Sequence, residues 1–279
     1  MAKQRAFKQV DVFTAVPYRG NPVAVVLDGS GLSDREMQRF AHWTNLSETT
    51  FVLPPTTEDA DYRVRIFTPA NELPFAGHPT LGTCHAWLEL GNEPRDRDTV
   101  VQECGAGLVP IKRGDEHLAF GAPPLIKDGP VDPELLDEVV AALNIDRSQV
   151  VDAAHTDNGP GWVSVLLDTA EEVLAIEPNP TTLDIGVVAP RPDGEDTAFE
   201  VRAFFPKDGS LAEDPVTGSL NAGLAMWLTQ TGRATAPYTA AQGTKLGRAG
   251  RVHVTSDERG QIWVGGGTVT CVDGTVALP

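Results

Sequence analysis

Apolar residues from position 220 onward fall at Leu220, Leu224, Trp227 and Leu228, the i, i+4, i+7, i+8 spacing of one helical stripe. Asn221, Ala222, Gly223 and Ala225 fill the remaining positions and keep that helix thin. The pattern predicts a helix opening near Gly218, with its first-turn amides and the positive end of its dipole aimed at whatever lies before Asp214 to Ser219. Such an end suits a carboxylate or phosphate. An ordinary buried helix with a Ser/Thr cap accounts for the same residues.

The chain repeats this arrangement. At an offset of 137, Val64 matches Val201, Arg65 matches Arg202, Phe67 matches Phe204, Pro69 matches Pro206 and Thr80 matches Thr217. The first copy leads into Phe75-Ala76-Gly77-His78-Pro79-Thr80 and a second thin helix carrying Cys84, Trp87 and Leu88. The order of elements repeats as well: strand, Phe-x-Pro turn, loop, thin helix, then Gly-rich strand pairs from Gln102 and from Gln242. This predicts a duplicated α+β fold, with two pseudo-symmetric domains at 1–122 and 123–279 and their helix amino ends converging on one cleft.

Alternation and turn residues place the other elements. Strands are expected at Phe7 to Phe13 and Pro22 to Leu27, and Ser33-Asp34-Arg35-Glu36 has capping-box spacing for a helix to about Thr44. Tyr62 to Phe67 alternates, with Val64 and Ile66 on one face and Arg63 and Arg65 on the other. Residues 122–130 read as the crossing between domains, and Pro133 opens a helix at its first position. Strands are expected near Gln149 to Asp152 and Trp162 to Leu167, a turn at Asp208-Gly209, and three closing strands after Arg251, the last of them in the second domain.

Composition narrows the class. A chain of 279 residues with 41% hydrophobic content, 27 Gly and 22 Pro has material for two cores rich in turns. Its net charge of -17 argues against nucleic acid and anionic membrane surfaces as partners. An anionic substrate then needs a local positive field, which helix amino ends supply. The 3 cysteines show no paired spacing, so neither a disulfide framework nor a zinc ribbon is expected. No apolar leader opens the chain, and a cytoplasmic location is expected.

Two candidate residues carry chemistry. Glu48 stands among hydroxyls in Asn45-Leu46-Ser47-Glu48-Thr49-Thr50, where neutral neighbours and partial burial would raise its pKa toward a range in which one group takes and returns a proton. A solvated glutamate before a strand is the competing account. His78 precedes the first thin helix, where a neutral imidazole could meet a substrate; a cap, or a place behind the residues that meet the substrate, is the plainer account. His42, His78 and His85 form no metal motif, and the Gln242-Gly243 loop lacks the spacing of nucleotide loops.

Asn45 to Val52, Phe75 to Thr80 and Glu213-Asp214-Pro215-Val216-Thr217-Gly218-Ser219, with Asp11 to Thr14 and Gly20-Asn21-Pro22-Val23-Ala24 before them, resemble the PhzF-like family of phenazine biosynthesis. The resemblance runs from about residue 7 to the end and takes in the Gln242-Gly243 loop. It implies the diaminopimelate epimerase-like fold: two domains, each a barrel-like sheet around a central helix, working as a homodimer without cofactor or metal. In the epimerases of that fold two cysteines at the helix starts move the proton. Here Ala76 and Asp214 stand at those places, and none of Cys84, Cys104 or Cys271 does. The resemblance instead gives Glu48 the proton transfer, on a cyclic acid of the dihydro-hydroxyanthranilate type. His78 and Asp214 assist it, and Gly77, Gly218 and Ser219 hold the carboxylate. An epimerase or racemase of another small acid, and a non-catalytic binding or scaffold protein, are the alternative functions.

Overall fold

The computed structural model describes residues 2–114, 117–207 and 210–279. In chain order the first elements are β1 (Lys3–Val12), β2 (Asn21–Val26), α1 (Asp34–Thr44), β3 (Glu48–Leu53), β4 (Tyr62–Phe67), β5 (Glu72–Leu73), α2 (Gly77–Glu89), β6 (Thr99–Cys104), β7 (Gly107–Arg113) and β8 (Leu118–Gly121). There follow β9 (Lys127–Pro130), α3 (Pro133–Leu143), β10 (Asp152–Asp157), β11 (Val163–Leu166), α4 (Ala170–Ala175), β12 (Ile185–Pro190), β13 (Phe199–Lys207), β14 (Ser210–Glu213), α5 (Gly218–Gln230), β15 (Tyr238–Gln242), β16 (Gly250–Ser256), β17 (Ile262–Gly266) and β18 (Thr268–Leu278). The turn expected at Asp208-Gly209 lies outside the described residues.

The chain divides into two compact units, residues 1–121 with 265–279, and residues 122–264. The tail does not close the second domain, as its place in the sequence suggests. β18 pairs antiparallel with the whole of β1, from Lys3 opposite Leu278 to Val12 opposite Thr268. A ladder of that length outweighs proximity in sequence. Leu278 is buried in the first unit's core with Val26, Phe40, Phe51 and Phe67, and the rings of Phe40, Phe51 and Phe67 meet edge to face. Two further expectations change. Part of the crossing is strand β9, which pairs with β10. The strand expected near Gln149 starts at Asp152, because Asp146 and Gln149 make a capping box around a short 3-10 turn.

Inside each unit the same topology recurs. β2 and β3 are parallel neighbours, as are β11 and β12. β4 turns back on β5 and runs parallel to β6, just as β13 turns back on β14 and runs parallel to β15. The helices that follow, α2 and α5, are buried on nearly every face, which is what a helix wrapped by sheet requires. α2 packs against β1, β2, β3, β8 and β18, and α5 against β10 and β16. Leu220, Leu224, Trp227 and Leu228 are all buried, as their stripe predicts.

The repeat needs one correction in register. The strands match at an offset of 137, but the helix starts, Gly77 and Gly218, differ by 141. The hairpin supplies the difference: Phe67 pairs with Glu72, whereas Phe204 pairs with Glu213. Ala76 therefore corresponds to Thr217, the two helix N-caps, and His78 corresponds to Ser219. Among the described residues no helix is long and apolar enough to cross a membrane.

Candidate active site

The predicted residues fall into two clusters, one in each unit. In the first, Glu48 opens β3 directly after the left-handed turn at Asn45 that ends α1. His78 is the second residue of α2 and is buried. Glu48 Oε2 lies 3.2 Å from His78 Nε2, and both atoms are shielded from solvent. The histidine is therefore not a cap; it faces the carboxyl group.

Strand β2 places both partners. Its Val23 stands opposite Glu48 in the parallel ladder, and the carbonyl of the preceding Pro22 accepts a hydrogen bond from the His78 ring. Hydroxyl pairs brace the neighbouring elements: Thr44 with Thr49 at 2.8 Å, and the buried Thr50 with Thr83, also at 2.8 Å. The second of these ties β3 to α2, the two elements that carry the pair.

This geometry counts protons. A carbonyl only accepts, so the His78 nitrogen facing Pro22, Nδ1, carries a hydrogen. Nε2 is then the ring nitrogen turned toward Glu48, 3.2 Å from Oε2. Burial holds the imidazole pKa down to about 3, because desolvation penalises the charged ring.

In the second unit the cluster gathers at the start of α5. Asp214 Oδ2 accepts from the Thr217 hydroxyl at 2.6 Å, and that hydroxyl accepts from Gln242 Nε2 at 2.9 Å. Gln242 Oε1 in turn takes the Thr217 amide and the Asn221 side chain. The backbone of Asp214 is fixed at both ends, its amide to Ala203 and its carbonyl to Gln242. Gly218 and Ser219 form the first turn, and no side chain caps either α5 or α2. Uncapped helix starts of this kind receive anions.

Gln242 and Thr217 are structural partners that spacing did not single out as site residues. In the first unit Gln102 Nε2 donates to Thr80 Oγ1 at 2.9 Å, and Thr80, inside α2, corresponds in register to Asn221, which Gln242 also holds. Each unit thus ties a strand glutamine to a residue in the first turn of its central helix. No thiol stands at either start. Cys84 is buried inside α2, and burial pushes its thiol up to about 12. His42 and His85 lie apart from His78, bonded to Pro69 and to Thr268 and Thr270 respectively. Among the described residues no group of three or more His, Cys, Asp or Glu side chains is arranged to hold a metal ion.

Fold and relatives together define an enzyme of the isomerase class on the diaminopimelate epimerase-like plan. The chain belongs to the PhzC-PhzF family of phenazine biosynthesis-like proteins, whose family model matches residues 10–274. It is 40% identical to antisense-enhancing sequence 1 of Schizosaccharomyces pombe, over 97% of this chain and 98% of that one. It is 36% identical to the trans-2,3-dihydro-3-hydroxyanthranilate isomerase of Pseudomonas aeruginosa, over 90% of each chain. Among solved structures it is similar to the PhzF-family phenazine biosynthesis protein of Bacillus anthracis, with a TM-score of 0.83 and 25% identity, covering 98% of this chain and 99% of that one.

Proposed function

We propose that the chain isomerises a small cyclic carboxylic acid of the dihydro-hydroxyanthranilate type by moving one proton between two of its carbons, with Glu48 as the carrier. The observation that carries this reading is the 3.2 Å contact between Glu48 and the buried His78. Glu48 acts as a carboxylate and takes a proton from substrate carbon, with His78 3.2 Å away holding it in place. The electron pair of that C–H bond moves into the ring and relocates a double bond. Glu48 then returns the proton to a second carbon, so atoms, electrons and charge balance without a co-reactant.

Asp214 is assigned to the substrate's polar groups, and Gly77, Gly218 and Ser219 to its carboxylate. The reaction named for the Pseudomonas aeruginosa relative supports this substrate class, and the family's description supports a step in phenazine assembly. The test is solvent deuterium incorporation into trans-2,3-dihydro-3-hydroxyanthranilate. Wild type incorporates label and Glu48→Gln is slower by about two orders of magnitude or more, the range of a lost acid/base group. Equal rates in both proteins would remove Glu48 from the mechanism.

A further inference from the structure

The segment Asp157-Asn158-Gly159-Pro160-Gly161-Trp162 between β10 and β11 is a built loop, not a simple link. Asp157 Oδ1 accepts the amides of Gly159 and Gly161 at 2.7 and 2.9 Å, and the Thr156 amide donates to the Trp162 carbonyl at 3.0 Å. Gly159 and Gly161 have φ of 144° and 98°, backbone that favours glycine.

Two side chains of this loop grip one residue of α5. Asn158 Nδ2 donates to the Ser219 carbonyl at 2.8 Å, and the buried Trp162 donates its indole N–H to Ser219 Oγ at 3.0 Å. An indole nitrogen can only donate. Ser219 Oγ is thereby held as an acceptor on that side, and its single hydrogen points elsewhere, as a donor at the uncapped start of α5. The first unit builds the corresponding bond with the roles exchanged: His78, the counterpart of Ser219, donates to Pro22 at the mouth of β2.

We infer that Trp162 is a positioning residue, and that the 157–162 loop sets the Ser219 hydroxyl to donate to the carboxylate of the bound acid. This rests on the reading that the chain binds a small carboxylic acid. The test is calorimetric titration with anthranilate, a stable aromatic carboxylate. Trp162→Phe keeps the ring and deletes only the donor, and raises the dissociation constant about fivefold to tenfold, as does Ser219→Ala. In the double variant the two losses do not multiply, because both remove the same oriented hydrogen bond.

An unchanged constant in Trp162→Phe, fully multiplicative losses, or no binding of anthranilate by wild type overturns the inference. Should Trp162→Phe fail to fold, the Trp162 indole N–H resonance carries the test. It shifts when anthranilate binds wild type and stays unmoved in Ser219→Ala; a shift in both overturns the inference. Coupled binding without deuterium exchange in any substrate would remove the proposed reaction and leave the role of Trp162 standing.

Discussion

Glu48 Oε2 and His78 Nε2 face each other at 3.2 Å while the Pro22 carbonyl takes the ring's Nδ1 hydrogen. Substitutes for Glu48 separate its chemistry from its contact with the ring. The amide nitrogen of Gln can donate to Nε2, whereas Ala leaves the buried ring nitrogen with no polar neighbour there. Glu48→Gln is therefore expected to match wild type in urea unfolding to within about 1 kcal/mol, and Glu48→Ala to lose about 1–3 kcal/mol. Equal losses in the two variants would mean that the Gln amide does not replace the contact with Nε2. Glu48→Gln is then also the right variant for the exchange experiment, since it removes the chemistry and keeps the contact.

Much of this architecture is visible along the chain, and what is hidden shares a physical cause. The α5 stripe, the capping box at Ser33 and the Pro-led α3 are local patterns, and each forms where its pattern stands. The duplicated strands were visible because Arg, Phe and Pro recur together. The tail's return to β1, the four-residue difference between the hairpins and the reach of Trp162 to Ser219 depend on partners distant in sequence, which no window along the chain contains. Pro22 was legible only as the start of a strand, because it acts through its carbonyl and backbone chemistry leaves no mark on residue type. Glu48 could be named from a motif; its link to His78 could not.

The duplication sets up a comparison inside one protein. Arg65 and Arg202 occupy matching places, each clamps the glutamate at the end of its hairpin with two parallel bonds, and each lies over a phenylalanine ring. Arg202 is buried and also donates to the carbonyls of Val173 and Ile176 behind α4, while Arg65 reaches instead to the exposed Asp34. Breaking a buried pair strands its partner, whereas an exposed pair is screened by water. Arg202→Met should cost about 3 kcal/mol or more and Arg65→Met about 1 kcal/mol or less, both by urea denaturation. Equal costs would mean that the two clamps are equivalent. Glu213 is the neighbour of Asp214, so the larger loss falls beside the site.

Gly223 tests why the central helix must be thin. Alanine normally stabilises a helix interior relative to glycine by about 1 kcal/mol. Here a Cβ on Gly223 would overlap the backbone carbonyl oxygen of Thr156 in β10, which cannot swing aside as a side chain does. Gly223→Ala is expected to destabilise by about 2 kcal/mol or more, the opposite sign to propensity. A gain in thermal midpoint would show that α5 has room against β10.

Asp184 gives the second unit a pH signature. Burial, with the nearby Asp157 charge adding to it, raises its pKa from 3.8 to about 6. The folded state therefore binds more protons than the unfolded chain between those values, and stability falls as pH rises through them. The contribution is whole below pH 3.8 and lost above about 6, where the carboxylate is ionised in a poorly solvated place. Asn at this position is never charged, so Asp184→Asn should stabilise the protein at pH 7.5 by about 1 kcal/mol, the full shift being reduced because the group is partly exposed. The gain should shrink as pH is lowered and vanish near pH 4, when both side chains are neutral. Chemical denaturation of the two proteins across pH 4 to 8 measures it. A gain independent of pH would place its origin in packing, and a loss at pH 7.5 would mean that ionised Asp184 holds a partner whose bond outweighs its desolvation.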